Sequence, residues 1–372
     1  MPPTRRSFLM TSAALLAVGC GQNSSQPSQP GSDLEPSEPS GKGGPRYDPS
    51  MWVDAAAFSP DGKRVLTRYS LDKVGKARPR YPSLTLWDTT TGKEIWTRKL
   101  ADLDVSHFAF LPDGKGILVR SGDYLKMLDP ANGKVVRTFE KDDKPISCLA
   151  VSPDGKLALT GGGHLNDGRE SSGLKLWNLA TGQAVRRLGS GIFLALTFSH
   201  DGRLVLAKCR SSGGAAVQLW DMADAKVIRT FDSEDGWGGP IAFSSDGKLG
   251  VSGRFKADTN EFVLWDTATG KPVRSFPWDS PSVVTLTPDA KGLLSGSLSK
   301  QTLALWEIAT GKQRWSERIG GLRSVAFSPN AKLAFTATGH SEGPEDLDHR
   351  LKLTVWDAVE GKRLRQLGNT RH

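Results

Sequence analysis

One segment, Phe58-Ser59-Pro60-Asp61-Gly62-Lys63, restricts the fold of this chain more than any other feature, because variants of it recur six more times. Each copy is followed by a second signal, typically Leu-Trp-Asp and then Thr-Gly-Lys. The turn residue is Asp in six copies and Asn in the last, at positions 61, 113, 154, 201, 246, 289 and 330. The resulting period of 41 to 52 residues is typical of a β-propeller blade built from four short strands.

The pattern inside one repeat supports this interpretation. Asp246-Gly247 separates two apolar runs, and Asp-Gly between such runs favours a hairpin because glycine accepts the positive φ of a tight turn. The fifth repeat therefore predicts strands at 241–243, 249–252, 262–265 and 273–276. Seven such repeats without a long helical pattern predict an all-β fold, a seven-bladed β-propeller with four antiparallel strands per blade.

The dipeptide at the end of the third predicted strand carries a family resemblance. Trp-Asp stands there in four repeats and weaker versions in two more, at Trp87-Asp88, Trp220-Asp221, Trp265-Asp266, Trp356-Asp357, Trp177-Asn178 and Trp306-Glu307. Over residues 51–368 the chain resembles the WD40 repeat family, which implies a propeller that serves as a binding platform. The Gly-His dipeptide that opens many repeats of that family is missing from every copy.

A hydroxyl residue accompanies the tryptophan in most repeats. Five positions beyond the turn glycine, or its alanine substitute, stand Thr67, Thr160, Ser252, Ser295 and Thr336. A buried indole N–H needs an acceptor, so we predict that each hydroxyl accepts from the tryptophan of its own repeat. The second repeat lacks both partners, with Leu128 and Val119, whereas the fourth keeps Trp220 but has Ala207 and no evident acceptor.

The first fifty residues differ in composition from the repeats. Arg5-Arg6, a short apolar run and Cys20 resemble a twin-arginine signal that ends in a lipobox, which implies export and lipidation of Cys20. Residues 20–50 are rich in Ser, Pro and Gln and predict a disordered tether. We therefore expect a signal peptide at 1–19, a tether at 20–50 and a propeller at 51–368. The predicted product is an extracytoplasmic bacterial lipoprotein, held on a membrane by its N-terminal lipid.

The net charge of +9 would fall to +7 on removal of residues 1–19, which include Arg5 and Arg6. Lysines lie mainly in the predicted turns and are spread around the ring, without the interleaved aromatic residues of nucleic-acid modules. We therefore interpret the charge as a solvated surface and expect no nucleic acid partner. Cys148 and Cys209 lie in different repeats without an obvious facing register, which favours two separate thiols over a disulfide.

Binding is expected on the long and varied connections, because variable loops on a rigid scaffold usually carry function. Trp237 and Trp278 lie in adjacent connections between repeats, beside glycine or proline. We interpret them as a hot spot for a protein partner; the alternative is that each ring packs over a blade end. The basic loop at 69–82 and the acidic loop at 339–350 are either part of a ligand site or neighbours that stabilise each other.

No catalytic motif is evident, and we expect a non-enzymatic, monomeric propeller without cofactor. His340, Asp346, Asp348 and His349 lack a fixed ligand spacing, so we expect no metal site there. One alternative is a propeller enzyme, either a hydrolase with a funnel site or an oxidoreductase, because the repeats around Trp96 and Trp315 resemble those of quinoprotein dehydrogenases. Another is recognition of envelope glycan. If the ring closes by packing between the first and last blades, we expect that contact to be the weak point.

Overall fold

The computed structural model describes residues 51–71, 83–99, 105–121, 123–142, 146–162, 173–211, 214–232, 240–255, 260–277, 283–338 and 352–368. Within these ranges the chain forms strands and turns and no helix. The strands are arranged in seven four-stranded antiparallel sheets, and in every sheet the strand order follows the sequence. The prediction of a seven-bladed, all-β propeller is confirmed.

The strand bounds fall into two sets. The first four blades are β1 Met51–Phe58, β2 Arg64–Leu71, β3 Ser83–Asp88, β4 Glu94–Lys99; β5 Val105–Phe110, β6 Ile117–Ser121, β7 Tyr124–Leu128, β8 Val135–Thr138; β9 Ile146–Val151, β10 Leu157–Gly162, β11 Leu174–Asn178, β12 Ala184–Leu188; and β13 Ile192–Phe198, β14 Leu204–Ser211, β15 Gly214–Asp221, β16 Lys226–Asp232. The last three are β17 Ile241–Phe243, β18 Leu249–Phe255, β19 Asn260–Asp266, β20 Pro272–Pro277; β21 Val283–Leu286, β22 Gly292–Ser297, β23 Thr302–Glu307, β24 Gln313–Arg318; and β25 Leu322–Phe327, β26 Leu333–Thr338, β27 Lys352–Asp357, β28 Lys362–Leu367.

The first strands of the seven blades form the centre of the ring. Each first strand lies beside the first strands of both neighbouring blades, in the cyclic order of the chain. The fourth strands are consequently the outermost and present one unpaired edge each. The strands of blade five cover the four segments predicted for that repeat.

The hydrophobic core is divided among the interfaces between blades. Seven clusters of buried side chains occur, and each joins two neighbouring sheets. In the closing cluster, Val65 and Trp87 of blade one pack with Phe335, Leu353 and Val355 of blade seven. Because a sheet with two apolar faces must bury both, neighbouring sheets stack face to face around the ring.

The ring closes without exchange of a strand among the described residues. Blade one is built from β1 to β4 and blade seven from β25 to β28, so each sheet is continuous in sequence. Besides the shared core, Gly368 N donates a 2.9 Å hydrogen bond to Gly92 O. The last strand ends at Leu367. Among the described residues, closure therefore depends on packing and turn hydrogen bonds between blades one and seven.

The predicted pairing of tryptophan and hydroxyl is confirmed in five blades. The indole Nε1 donates over 2.8 to 3.0 Å from Trp87 to Thr67, Trp177 to Thr160, Trp265 to Ser252, Trp306 to Ser295 and Trp356 to Thr336. In blade four, Trp220 Nε1 is buried and has no hydrogen-bond partner among the described residues. Ala207 stands where the other blades have the hydroxyl, so the missing acceptor follows directly from the sequence.

The two cysteines are separate thiols, as predicted, although they share one interface. Cys148 in β9 and Cys209 in β14 belong to the same buried cluster between blades three and four. They pack about Phe193, whose carbonyl oxygen lies 3.3 Å from Cys148 Sγ. Neither forms a disulfide in the structure, and burial raises the pKa of the Cys209 thiol to about 11. Low thiolate content makes that thiol a poor nucleophile.

Candidate functional site

The strand order places the connections on two opposite faces. In an antiparallel sheet, the turn from first to second strand and the turn from third to fourth strand share one end. We call this end the short-turn face. The connections from second to third strand, and from each blade to the next, share the other end, the long-connection face. The predicted binding residues belong, by their place in the sequence, to connections of this second kind, and they lie outside the residues that the structure describes.

The short-turn face is fixed by a repeated hydrogen-bond network. In the turn at Ser152, the hydroxyl donates to Asp154 Oδ1 over 2.6 Å and accepts from Leu157 N over 2.9 Å. Lys156 N donates to the same carboxylate over 3.0 Å. Equivalent networks begin at Ser59, Ser199, Ser244, Thr287 and Ser328. The Ser152 hydroxyl, followed by the Lys156 N–H, lowers the pKa of Asp154 below its usual value.

The same network lowers the pKa of three other turn carboxyls. For Asp201 and Asp246 the Ser199 and Ser244 hydroxyls are the main cause, and for Asp289 it is the Thr287 hydroxyl. Hydrogen bonds donated to a carboxylate favour its ionised form. These charges therefore serve the turns themselves, because each stabilises the backbone that donates to it.

A second set of contacts joins neighbouring blades along the rim of the short-turn face. The residue four positions after the glycine of a blade's last turn (after Ala225 in blade four) reaches the next blade and donates to a backbone carbonyl of that blade's last turn. Arg229 Nη1 donates to Thr269 O over 3.0 Å and Arg274 Nη2 to Ala309 O over 2.7 Å. At the closing interface, Arg365 Nη1 donates to Thr91 O over 3.5 Å.

Trp96 and Trp315 occupy this same position in blades one and six. Trp96 Nε1 donates to Pro130 O over 2.8 Å and Trp315 Nε1 to Val359 O over 3.0 Å. Each ring covers the glycine of the neighbouring turn, where a Cβ added to Gly361 would lie 2.8 Å from Trp315 Cδ2. The two tryptophans whose repeats resemble those of quinoprotein dehydrogenases thus make the same rim contact as arginine makes in blades four, five and seven.

The strand ends below the long-connection face show a different pattern. In the second strand of each blade, one position directly follows that of the hydroxyl residue. It holds a small residue in four blades, at Gly161, Gly253, Gly296 and Ala337, and a cation in the other three, at Arg68, Arg120 and Lys208. Added Cβ atoms at Gly161 and Gly296 would approach the next blade to 2.5 and 2.8 Å. The small residues therefore permit close packing of the blades.

Of the cations at this position, Arg68 and Arg120 are partly buried and Lys208 is fully buried. Arg68 Nε donates to Asp54 Oδ1 over 2.7 Å, and its Nη1 donates to Val105 O of blade two. Lys208 is fully buried in the interface between blades four and five, and burial lowers the pKa of its ammonium to about 8. These groups belong to the blade interfaces rather than to an open site.

A largely buried ion group lies beside Trp177 in blade three. Lys175 Nζ lies 4.2 Å from the centroid of the Trp177 ring and 3.4 Å from Asp142 Oδ1. Arg187 Nη2 lies 2.9 Å from the same carboxylate oxygen. Asp142 belongs to the connection from blade two, so this group fastens the connection to the next sheet.

The predicted site residues lie outside the described part of the chain. Trp237 and Trp278, most of the predicted basic and acidic loops (residues 72–82 and 339–351), and the candidate metal residues His340, Asp346, Asp348 and His349 all belong to ranges that the structure does not describe. The same holds for the export residues Arg5 and Arg6 and for Cys20. Among the described residues, no group of three or more His, Cys, Asp or Glu side chains is arranged to hold a metal ion. In the same ranges, no helix is long and apolar enough to span a membrane.

Comparison with protein families supports the repeat type. Residues 133–178 match the model described as WD domain, G-beta repeat. This segment comprises the fourth strand of blade two and the first three strands of blade three, and it ends at the Trp177-Asn178 signal. The fold is a seven-bladed β-propeller with a WD40-type repeat.

Comparisons over the whole chain add only the fold. No curated protein matches the sequence, whereas 1423 chains of solved structures match the structure. One of them, the Kuenenia stuttgartiensis Hydrazine Synthase, superposes with a TM-score of 0.62 at 17% identity, covering 82% of this chain and 95% of its own. At that identity the similarity concerns the architecture, which hosts many unrelated functions.

Proposed function

We propose that this WD40-type propeller is a non-enzymatic protein-interaction scaffold, exported and held at the cell envelope by a lipid on Cys20. The observation that carries the proposal is the contrast between the two faces. On the short-turn face, the repeated Ser, Thr and Asp side chains stabilise their own turns, and the rim Arg and Trp residues contact the next blade. The connections of the long-connection face vary in length and in residue type. Variable loops on a rigid scaffold usually carry binding.

The export signal and tether supply the location in this proposal. A twin-arginine-like pair at Arg5-Arg6 and a lipobox-like Cys20 precede thirty residues of polar, Pro-rich sequence. A tether of that length reaches about 30 Å as a coil, so the ring would stay within about that distance of the bilayer. The partner would then be another envelope protein that reaches the long-connection face.

An affinity pull-down from cross-linked membranes tests the proposal. The bait is the full chain with a C-terminal tag, compared with a Trp237→Ala/Trp278→Ala variant. The matched control is Trp96→Arg/Trp315→Arg, which also removes two tryptophans but places there the residue that other blades use at the rim. We expect one partner with the parent and the control, and its loss with the alanine variant.

Two outcomes would contradict the proposal. Equal recovery with both variants would remove these tryptophans from the binding surface. Recovery of no protein with any bait would favour a propeller enzyme or a glycan-binding propeller, and an absorbance spectrum of the purified chain would then detect a bound quinone. The rim contacts of Trp96 and Trp315 give those residues a structural role without a cofactor, so they do not by themselves favour the oxidoreductase.

A further inference from the structure

The positive charge of the described strands is concentrated on the outside of the ring. The seven outermost strands contain thirteen Lys or Arg residues and three Asp or Glu residues. The other 21 strands together contain ten Lys or Arg residues and seven Asp or Glu residues. The lysines of the turns, which dominate the sequence pattern, alternate with turn aspartates. Arginines of the fourth strands therefore create the excess, and the repeat motif does not reveal them.

Exposed apolar side chains lie on the same strands. Among the described residues, eight of the ten large apolar side chains with high exposure belong to the outermost strands, at Ile95, Val135, Val136, Val185, Val227, Ile228, Val273 and Leu364. Val136 is 61% exposed and Leu364 55% exposed. Charged residues alone would protect the unpaired edges from aggregation, and exposed β-branched residues work against that protection. The combination therefore needs another explanation.

Blades two, three and four present this combination on three adjacent strands. Strands β8, β12 and β16 carry Val136, Arg137, Val185, Arg186, Lys226 and Ile228, among others. Strands β8 and β12 contain no acidic residue. We call these three strands the outer wall. Arg187 of β12 is paired with Asp142, and Arg229 of β16 donates to a backbone carbonyl of the next turn. The positive charge that the outer wall exposes therefore rests on Arg186 and Lys226.

We propose that the outer wall binds the surface of an anionic lipid bilayer, so that the ring rests on its side against the membrane. Basic side chains are attracted to anionic headgroups, and exposed aliphatic side chains between them partition into the headgroup region. A soluble polyanion would use the charges but would gain nothing from the valines and isoleucine. The membrane as occupant rests on the proposed anchor at Cys20, which would keep the ring beside a bilayer.

Vesicle sedimentation tests the proposal on the full chain with Cys20→Ser, which cannot be acylated. The probes are vesicles of phosphatidylcholine alone and vesicles that also contain phosphatidylglycerol. We expect binding to the anionic vesicles only, weakened by salt. Replacing Arg186→Gln and Lys226→Gln should weaken it about 25-fold, since each basic residue near an anionic surface contributes about five-fold.

Two further variants separate the outer wall from net charge and from simple ion exchange. Lys63→Gln/Lys248→Gln removes the same charge from the short-turn face and should leave binding near the parental level. Val136→Thr/Val185→Thr/Ile228→Thr keeps the charge and the β-branched shape. It should weaken binding to vesicles without changing the affinity for soluble polyglutamate. Thermal unfolding verifies that each variant is folded.

The outcomes are distinguishable from those of the scaffold proposal. Equal losses of vesicle binding in the Lys63→Gln/Lys248→Gln and the Arg186→Gln/Lys226→Gln variants would show an effect of net charge and overturn the outer wall as the binding surface. Unchanged vesicle binding in the threonine variant would overturn the bilayer as occupant and leave an anionic polymer. No binding to anionic vesicles would also overturn the bilayer proposal. Recovery of a protein partner through the long-connection face requires none of these residues, so the scaffold proposal stands or fails separately.

Discussion

The indole Nε1 of Trp96 donates a 2.8 Å hydrogen bond to the carbonyl oxygen of Pro130, which joins blade one to blade two at the rim. The Trp96 ring also covers Gly133, where an added Cβ would lie 3.0 Å from the ring atom Cζ3. In blades four and five, Arg229 and Arg274 make the equivalent contact. The rim position therefore requires a flat side chain with an N–H donor, whichever residue supplies it.

This relationship predicts the tolerance of the rim. Trp96→Arg should change the free energy of unfolding by less than about 0.5 kcal/mol, because arginine reaches the same carbonyl in other blades. Trp96→Ala removes both the donor and the half-buried ring and should cost about 2 kcal/mol. Urea unfolding of the two variants measures the difference. Equal destabilisation would show that the indole has a role that arginine cannot fill.

Blade four should gain stability from the hydroxyl that it lacks. Ala207→Ser places an acceptor beside the buried N–H of Trp220 and should stabilise the fold by about 1 kcal/mol. The reverse change in blade three, Thr160→Ala, removes the acceptor of Trp177 and should destabilise by about 1–3 kcal/mol. Denaturant midpoints measure both effects. A destabilised Ala207→Ser variant would mean that the tight packing around Trp220 leaves no space for the hydroxyl.

Acid should weaken the turns of the short-turn face. Asp154, Asp201, Asp246 and Asp289 have pKa values below the usual one. A carboxyl with a lowered folded pKa contributes stability that is complete above its unfolded pKa, about 3.9, and is lost as pH falls through the lower folded value. We therefore expect the melting temperature to fall steeply below about pH 4.

The last blade supplies the control for that pH dependence. Asn330 accepts from Ser328 and Lys332 as the aspartates do, but it does not titrate in this range. Replacing Asp154, Asp201 and Asp246 by Asn should therefore keep the fold and flatten the acid limb of the melting curve against pH. An unchanged acid limb would place the titrating groups elsewhere.

The closing interface is predicted to open first. Blades one and seven share a full core cluster, but no peptide connection holds them together if that core separates. Amide hydrogen exchange should therefore be fastest for β1 to β4 and β25 to β28 among the described strands. Arg365→Ala, which removes the hydrogen bond to Thr91 O, should accelerate exchange in both blades. The greatest protection in these two blades would contradict this account of closure.

The sequence predicts the architecture well because its determinants are local. Asp-Gly turns and the pairing of Trp177 with Thr160 lie within one repeat, so a single strand register fixes them. Contacts between blades are harder to predict, since Trp96 and Pro130 meet only after two sheets have packed. The shared cluster of Cys148 and Cys209 is missed for the same reason. The outer wall is missed because Arg186 and Lys226 look like ordinary charges on an edge strand until the exposure of Val185 and Ile228 beside them is known.

The most direct test of the scaffold proposal compares the two faces of the same blade. A photo-cross-linking amino acid is introduced at Trp278, in the connection that follows blade five, or at Lys248, in its short turn, and cells are irradiated. We predict a discrete cross-linked protein partner from position 278 and none from position 248. Cross-links of equal yield at both positions, or a partner captured only through position 248, would contradict binding through the long-connection face.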